Sequence, residues 1–160
     1  MTHNAAPFPC GHYSRPDIFS LTVDEKVKHP VIFANGRVPV TTKISLDEKF
    51  SLVQEYWRPK VIAALNGQEI KIIKVKGEFP WHHHLKEDEF FLVHKGRFRV
   101  EFRDHVLSMR PGDCVVVPHG VEHRTCADDG AEVICFEPAG VKNTGNIDDA
   151  TYTAPSGVSI

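Results

Sequence analysis

Trp81-His82-His83-His84-Leu85-Lys86-Glu87-Asp88-Glu89-Phe90-Phe91-Leu92-Val93 sets three histidines and three acids directly before an apolar run. Imidazole nitrogen and carboxylate oxygen are ligands that divalent metals favour. On an extended chain, residues two apart share a face, so His82 and His84 point one way and His83 the other. Downstream, Glu89, Phe91 and Val93 share a face, and Asp88 lies on the other with Phe90 and Leu92. If the first set faces inward, Glu89 stands beside the two histidines and Asp88 is left outside. The stretch reads as half of a metal site leading into a half-buried strand.

Short strands surround it. Val61 to Leu65, Asn66-Gly67 and Ile70 to Val75 read as a hairpin, because Asn-Gly between apolar runs is a strong two-residue turn signal. Apolar alternation shifts phase between Ile72 and Ile73, which predicts a bulge there. Phe98, Val100 and Phe102 alternate with Arg99, Glu101 and Arg103. Val106 to Met109 is a short strand, Val115 to Val117 a buried run stopped by Pro118, and Val121 to Cys126 a further strand. Asp128-Asp129-Gly130 predicts a turn before a last strand, Val133 to Phe136. Strands recurring about every ten residues argue an all-β sandwich or barrel. On the strand after Pro118-His119-Gly120, Val121, His123 and Thr125 share a face, and His123 is the candidate fourth ligand. Three imidazoles and one carboxylate hold a divalent ion and leave room for water or substrate.

Two spacings resemble a known family. The first is Gly77, four residues, His82-His83-His84, four residues, Glu89, six residues, Gly96. The second is Gly112, five residues, Pro118-His119-Gly120, two residues, His123, three residues, Ala127. In this order they resemble the two motifs of the cupin superfamily, and specifically small single-domain conserved-barrel cupins, over about residues 60–138. Two departures stand out: five residues more commonly precede the first histidine, and Ala127 replaces the usual Asn. The resemblance implies a double-stranded β-helix, the jelly-roll barrel, with His82, His84, Glu89 and His123 as ligands of one divalent ion (zinc, manganese, iron or nickel). The Trp81-His82-x-His84 start is similar to sequences labelled mannose-6-phosphate isomerase-like.

The remaining chain is read around that barrel. With 160 residues, 41% hydrophobic and 25% charged, one globular domain is expected. Residues 1–41 read as an N-terminal extension, with a hairpin over Val31 to Val40 around Asn35-Gly36. A helix over 45–57 follows, started by a Ser45/Glu48 capping box and ended by Arg58-Pro59, with Leu46, Phe50 and Val53 as its apolar stripe. Residues 42–138 form the barrel with this leading helix, and 139–160 a polar, loosely attached tail. A net charge of -2 and the absence of a basic block argue against nucleic-acid or membrane-surface partners. No secretory signal or spanning segment is legible, so a cytoplasmic protein with reduced thiols is expected. Cys126 and Cys135 on adjacent strands leave a disulfide open. Phe90 and Leu92 on the outer face need a cover, from the extension, the helix or a second subunit, and a homodimer is expected.

Fold does not fix function. Three classes stay open: a metalloenzyme on a small polar, sugar-like substrate, isomerase-like in chemistry; an Fe(II)-dependent dioxygenase; and a non-enzymatic small-ligand binding module. No general base is legible in the sequence.

Overall fold

The structure is a computed structural model that describes residues 43–160. The extension and its hairpin over residues 31–40 lie outside the described residues, as do His3, His12, His29 and Cys10. The described chain forms one short helix, α1 (Leu46–Ser51), and seven strands. The strands are β1 (Lys60–Leu65), β2 (Gln68–Glu78), β3 (Glu89–Gly96), β4 (Phe98–Phe102), β5 (Val106–Met109), β6 (Cys114–Val117) and β7 (His123–Pro138). All pairings are antiparallel, in the order β1-β2-β7-β3-β6, with β4 between β5 and β7. The architecture is the expected all-β barrel.

Asn66 and Gly67 have φ of 51° and 80°, the paired left-handed residues that join β1 to β2 in the predicted hairpin. β3 buries Glu89, Phe91 and Val93 and leaves Phe90, Leu92 and His94 half-buried. β4 alternates as read, with Phe98 and Val100 buried. Ile73, Val75, Phe91, Val93, Phe98, Val100, Met109, Val117, Val133 and Cys135 share one interior cluster.

Several expectations change. The bulge predicted at Ile72/Ile73 is absent: β2 pairs without a break from Gln68↔Pro138 to Val75↔Ala131. The phase shift arises because both faces of β2 are covered. Ile72 belongs to a second cluster with Phe50, Val53, Ile62 and Ile134, whereas Ile73 and Val75 face the interior. The irregularity lies instead on β1, between Val61 and Ala63.

Asp128-Asp129-Gly130 does not end a strand. These residues lie within β7, where Gly77 pairs with Ala127 and Val75 with Ala131. Three residues therefore bulge opposite Lys76, and the inward parity of His123, Thr125 and Ala127 continues into Ala131, Val133, Cys135 and Glu137. Gly130 leans on the turn after β3. A Cβ on Gly96, whose φ is +83°, would stand 2.4 Å from the Gly130 carbonyl oxygen. Cys126 and Cys135 lie on this one strand and are free thiols.

Val115 to Val117 is an edge rather than a buried run. Among the described residues β6 pairs with β3 only, and Val116 is 55% exposed. The helix is shorter than 45–57, because Leu52 caps it and the chain then turns to bridge Tyr56 to Lys74. Its stripe is still spent as read: Phe50 and Val53 are fully buried. Ser45 accepts the Glu48 amide at 3.4 Å. Leu92 packs against this helix cluster, so part of the outer face that called for a cover is covered by the same chain. His94 stacks on Phe50, with ring centroids 5.2 Å apart.

The tail is not loose. Residues 139–160 fold into a strap bound to the barrel. Thr144 is fully buried, the Val61 amide donates to Val158, Ile160 joins the helix cluster, and the Arg58 guanidinium donates to the Thr151 carbonyl at 2.9 Å. Replacing Phe50 with Ala is expected to cost ~3–5 kcal/mol of folding stability, as for a buried aromatic. Urea denaturation reads this, and a loss under ~1 kcal/mol would mean that α1 does not seal the outer cluster.

Candidate metal centre

Backbone hydrogen bonds hold each residue of His82-His83-His84. His82 and His123 form a two-way bridge, with N···O of 3.0 and 2.9 Å. The His83 amide donates to Asn146 Oδ1 at 2.8 Å, and the His84 carbonyl accepts from Gly120 at 2.7 Å. The extended parity holds within this frame: His82 and His84 are buried, and His83 is only half-buried. Gly120 belongs to the turn that delivers His123, so both halves of the site share one set of backbone ties. Asp88 is exposed and accepts from the amide and ring of His119 at 2.9 and 2.8 Å, so it serves the turn rather than the interior.

The structure brings together all four residues named from sequence. Ligand atoms of His82, His84 and Glu89 lie within 4.8 Å of one another. Glu89 Oε2 stands 3.3 Å from His84 Nε2 and 3.4 Å from His123 Nε2. All three atoms are buried and none has an aligned hydrogen-bond partner. Unpaired buried polar atoms are costly, and three converging on one point fit a cation. The tautomers agree. His82 Nδ1 contacts the Pro80 carbonyl at 3.0 Å and His123 Nδ1 the Val121 carbonyl at 3.0 Å. A carbonyl only accepts, so each Nδ1 carries the proton and each Nε2 keeps its lone pair, the backing that metal-bound histidines use.

Burial, reinforced by His123, holds the His82 ring down at about 4, in the neutral form that a metal needs. Burial also opposes charge on His84, but Glu89 outweighs it and raises that ring. Glu89 is enclosed, which would raise its carboxyl, yet His123 and His84 together pull it far down.

Sequence reading missed a second polar group. Glu137, Lys71 and Glu69 are all buried. Lys71 Nζ donates to Glu137 Oε1 at 2.9 Å and lies 3.3 Å from Glu69 Oε2. Burial first, then the Glu89 charge, push Glu137 up to about 7. Glu137, Cys135 and Glu89 also have ligand atoms within 4.8 Å of one another. That trio is the poorer cation site, because Lys71 already occupies Glu137. Burial also holds the Cys135 thiol protonated, and it donates to Glu89 Oε1 at 3.5 Å. The available signal was alternation through Val133 and Cys135 to Glu137, one residue past where the strand was read to end.

A small pocket opens onto this centre. Trp57, Phe79, Phe91 and Phe98 supply an aromatic wall, and His82, Glu89, Thr125, Glu137 and Asn143 supply polar points.

A family model described as a cupin domain matches residues 70–137. The crystal structure of a cupin-2 domain containing protein from Shewanella frigidimarina is 40% identical, with a TM-score of 0.59 over 59% of this chain and 93% of that one. A Neisseria meningitidis protein of known structure is 28% identical, with a TM-score of 0.57 over 61% of this chain and all of that one. The uncharacterized Bacillus subtilis protein YdbB is 32% identical over 65 residues, 40% of this chain and 58% of that protein.

Elemental analysis of the purified protein is expected to find close to one divalent ion per chain, lost in a His82→Ala/His84→Ala variant. Full retention in the double variant would refute the assignment. For metal-free protein, the His82 ring protonates more readily unfolded than folded. Its contribution to stability is therefore present above about pH 6.5 and lost as pH falls through about 4. Melting temperatures across that window should fall, and less steeply in His82→Ala; equal slopes would contradict the burial argument.

Proposed function

The chain belongs to the cupin family, and on that premise we propose that it is a metalloenzyme acting on a small polar, sugar-like substrate. His82, His84, Glu89 and His123 hold one divalent ion, with zinc, manganese, iron and nickel all compatible with three imidazoles and a carboxylate. When bound, that ion supplies Lewis acidity toward an oxygen of the substrate.

The observation that carries the enzymatic reading is Glu137. It lines the same cavity as His82 and Glu89, and its carboxyl is poised near neutrality. A group that gives and takes a proton near pH 7 is what proton transfer at carbon requires. The two carboxylates have opposite environments: imidazoles hold Glu89 ionised, whereas burial beside that charge keeps Glu137 close to its midpoint. Such a pair divides into a ligand and an acid–base group. Lys71 holds Glu137 in place through Oε1, and Thr125 offers a hydrogen bond to a substrate hydroxyl. The aromatic wall shields the site from bulk water. Together these features support an isomerase-like proton shift next to a carbonyl.

The same wall favours one second reading, an Fe(II)-dependent dioxygenase on an apolar substrate, for which O2 uptake would depend on added Fe(II). To test the first reading, metal-loaded protein is incubated in D2O with a panel of small aldoses, ketoses and sugar acids and followed by NMR. Deuterium is expected at the carbon next to the carbonyl, with exchange reduced ~100-fold or more in Glu137→Gln at unchanged metal content. No exchange with any member of the panel, or full exchange in Glu137→Gln, would sink it.

A further inference from the structure

We infer that Asn146, on the C-terminal strap, is a positioning residue for the metal centre: it clamps the peptide between the ligands His82 and His84. This rests on the metal reading above and concerns a residue beyond the family match, which ends at residue 137. The His83 amide donates to Asn146 Oδ1 at 2.8 Å, and the Asn146 amide donates back to the His83 carbonyl at 3.0 Å. An amide N–H only donates, so the Asn146 oxygen must face it. The pair mimics one rung of an antiparallel ladder, on the opposite side of the segment from the His82–His123 bridge. His83 thus has its peptide groups occupied by the strap while its neighbours present their rings inward.

The strap is built to hold Asn146 still. Thr144 Oγ1 donates to the Ile147 carbonyl at 2.9 Å and contacts Thr153 Oγ1 at 2.8 Å. Asp149 Oδ1 accepts from the Thr151 and Tyr152 amides at 2.8 and 2.9 Å. Asn143 spans the strap, donating to the Tyr152 carbonyl and accepting from Ala154, both at 2.9 Å. The approach to the histidine segment is close: a Cβ on Gly145, at φ +51°, would stand 2.2 Å from the His83 carbonyl oxygen. A second route runs through aromatic rings, with Tyr152 edge-on to Phe79 and Phe79 edge-on to His82, each at 5.2 Å. Removing the acceptor frees the His83 amide and lets the two ligand rings sample orientations that do not converge. Hydrogen-bond partners of metal ligands typically change affinity ~10–100-fold, and the His83 peptide bears on two ligands at once.

The test is Co(II) titration of metal-free full-length protein, read by visible absorption, for wild type, Asn146→Ala, Asn146→Asp and Lys142→Ala. Lys142→Ala breaks the strap's Lys142–Asp148 pair (2.7 Å) without touching His83 and controls for general loosening. Asn146→Ala is expected to weaken cobalt at least ~10-fold and to alter the ligand-field spectrum. Asn146→Asp, which keeps an acceptor oxygen, should restore both to near wild type, and Lys142→Ala should leave both unchanged at a similar melting temperature. Affinity and spectrum unchanged in Asn146→Ala, or equally degraded in Lys142→Ala, would overturn the inference alone. Wild-type protein that binds no cobalt would overturn the metal reading, and this inference with it.

Discussion

Glu89 is a carboxylate enclosed within the barrel, with Oε2 3.3–3.4 Å from two imidazole nitrogens and hydrogen-bonded to neither. A charge taken out of water costs several kcal/mol unless it is compensated. The surrounding structure is arranged as a compensating cation would require. β3 brings Glu89 inward with Phe91 and Val93, and the His82–His123 bridge fixes two of the rings around it. The Nδ1 contacts to Pro80 and Val121 turn lone pairs rather than protons toward the centre.

β7 joins this requirement to the fold. A straight strand from His123 to Glu137 would span roughly 45 Å, yet His123 lies against Glu89 and Glu137 has a ligand atom within 4.8 Å of it. The strand therefore bends, and the three-residue bulge at 128–130 is where its register breaks. Because that bulge preserves inward parity, one strand turns His123 inward at one end and Glu137 inward at the other. Lys71 offsets the second carboxylate directly, donating to Glu137 Oε1 at 2.9 Å.

Legibility in the sequence followed the range of the physics. Period-two alternation is local, so the faces of His82, His84, Glu89 and His123 were readable, as were the Asn66-Gly67 turn and the stripe of α1. Where two surfaces cover one strand, alternation loses its meaning: Ile72 and Ile73 looked like a bulge because both are buried, against different clusters. Glu137 was missed because a charged residue at the end of an apolar run reads as the start of a loop, and only Lys71, from a distant strand, makes its burial tolerable. The strap was misread because its order comes from Thr144, Asp149, Thr153 and Asn143 bonding to backbone, which leaves no hydrophobic period. Polar composition resembles a loose tail until those partners are seen.

Three imidazoles and Glu89, with no sulfur, are the proposed ligands of the ion. X-ray absorption at the edge of the metal found in the purified protein reads that ligand set directly. Nitrogen and oxygen scatterers are expected near ~2.0–2.2 Å, as for imidazole and carboxylate on zinc, with the outer-shell pattern of about three histidine rings. A sulfur scatterer near ~2.3 Å would place the ion with Cys135 and Glu137 instead, and would contradict that ligand set.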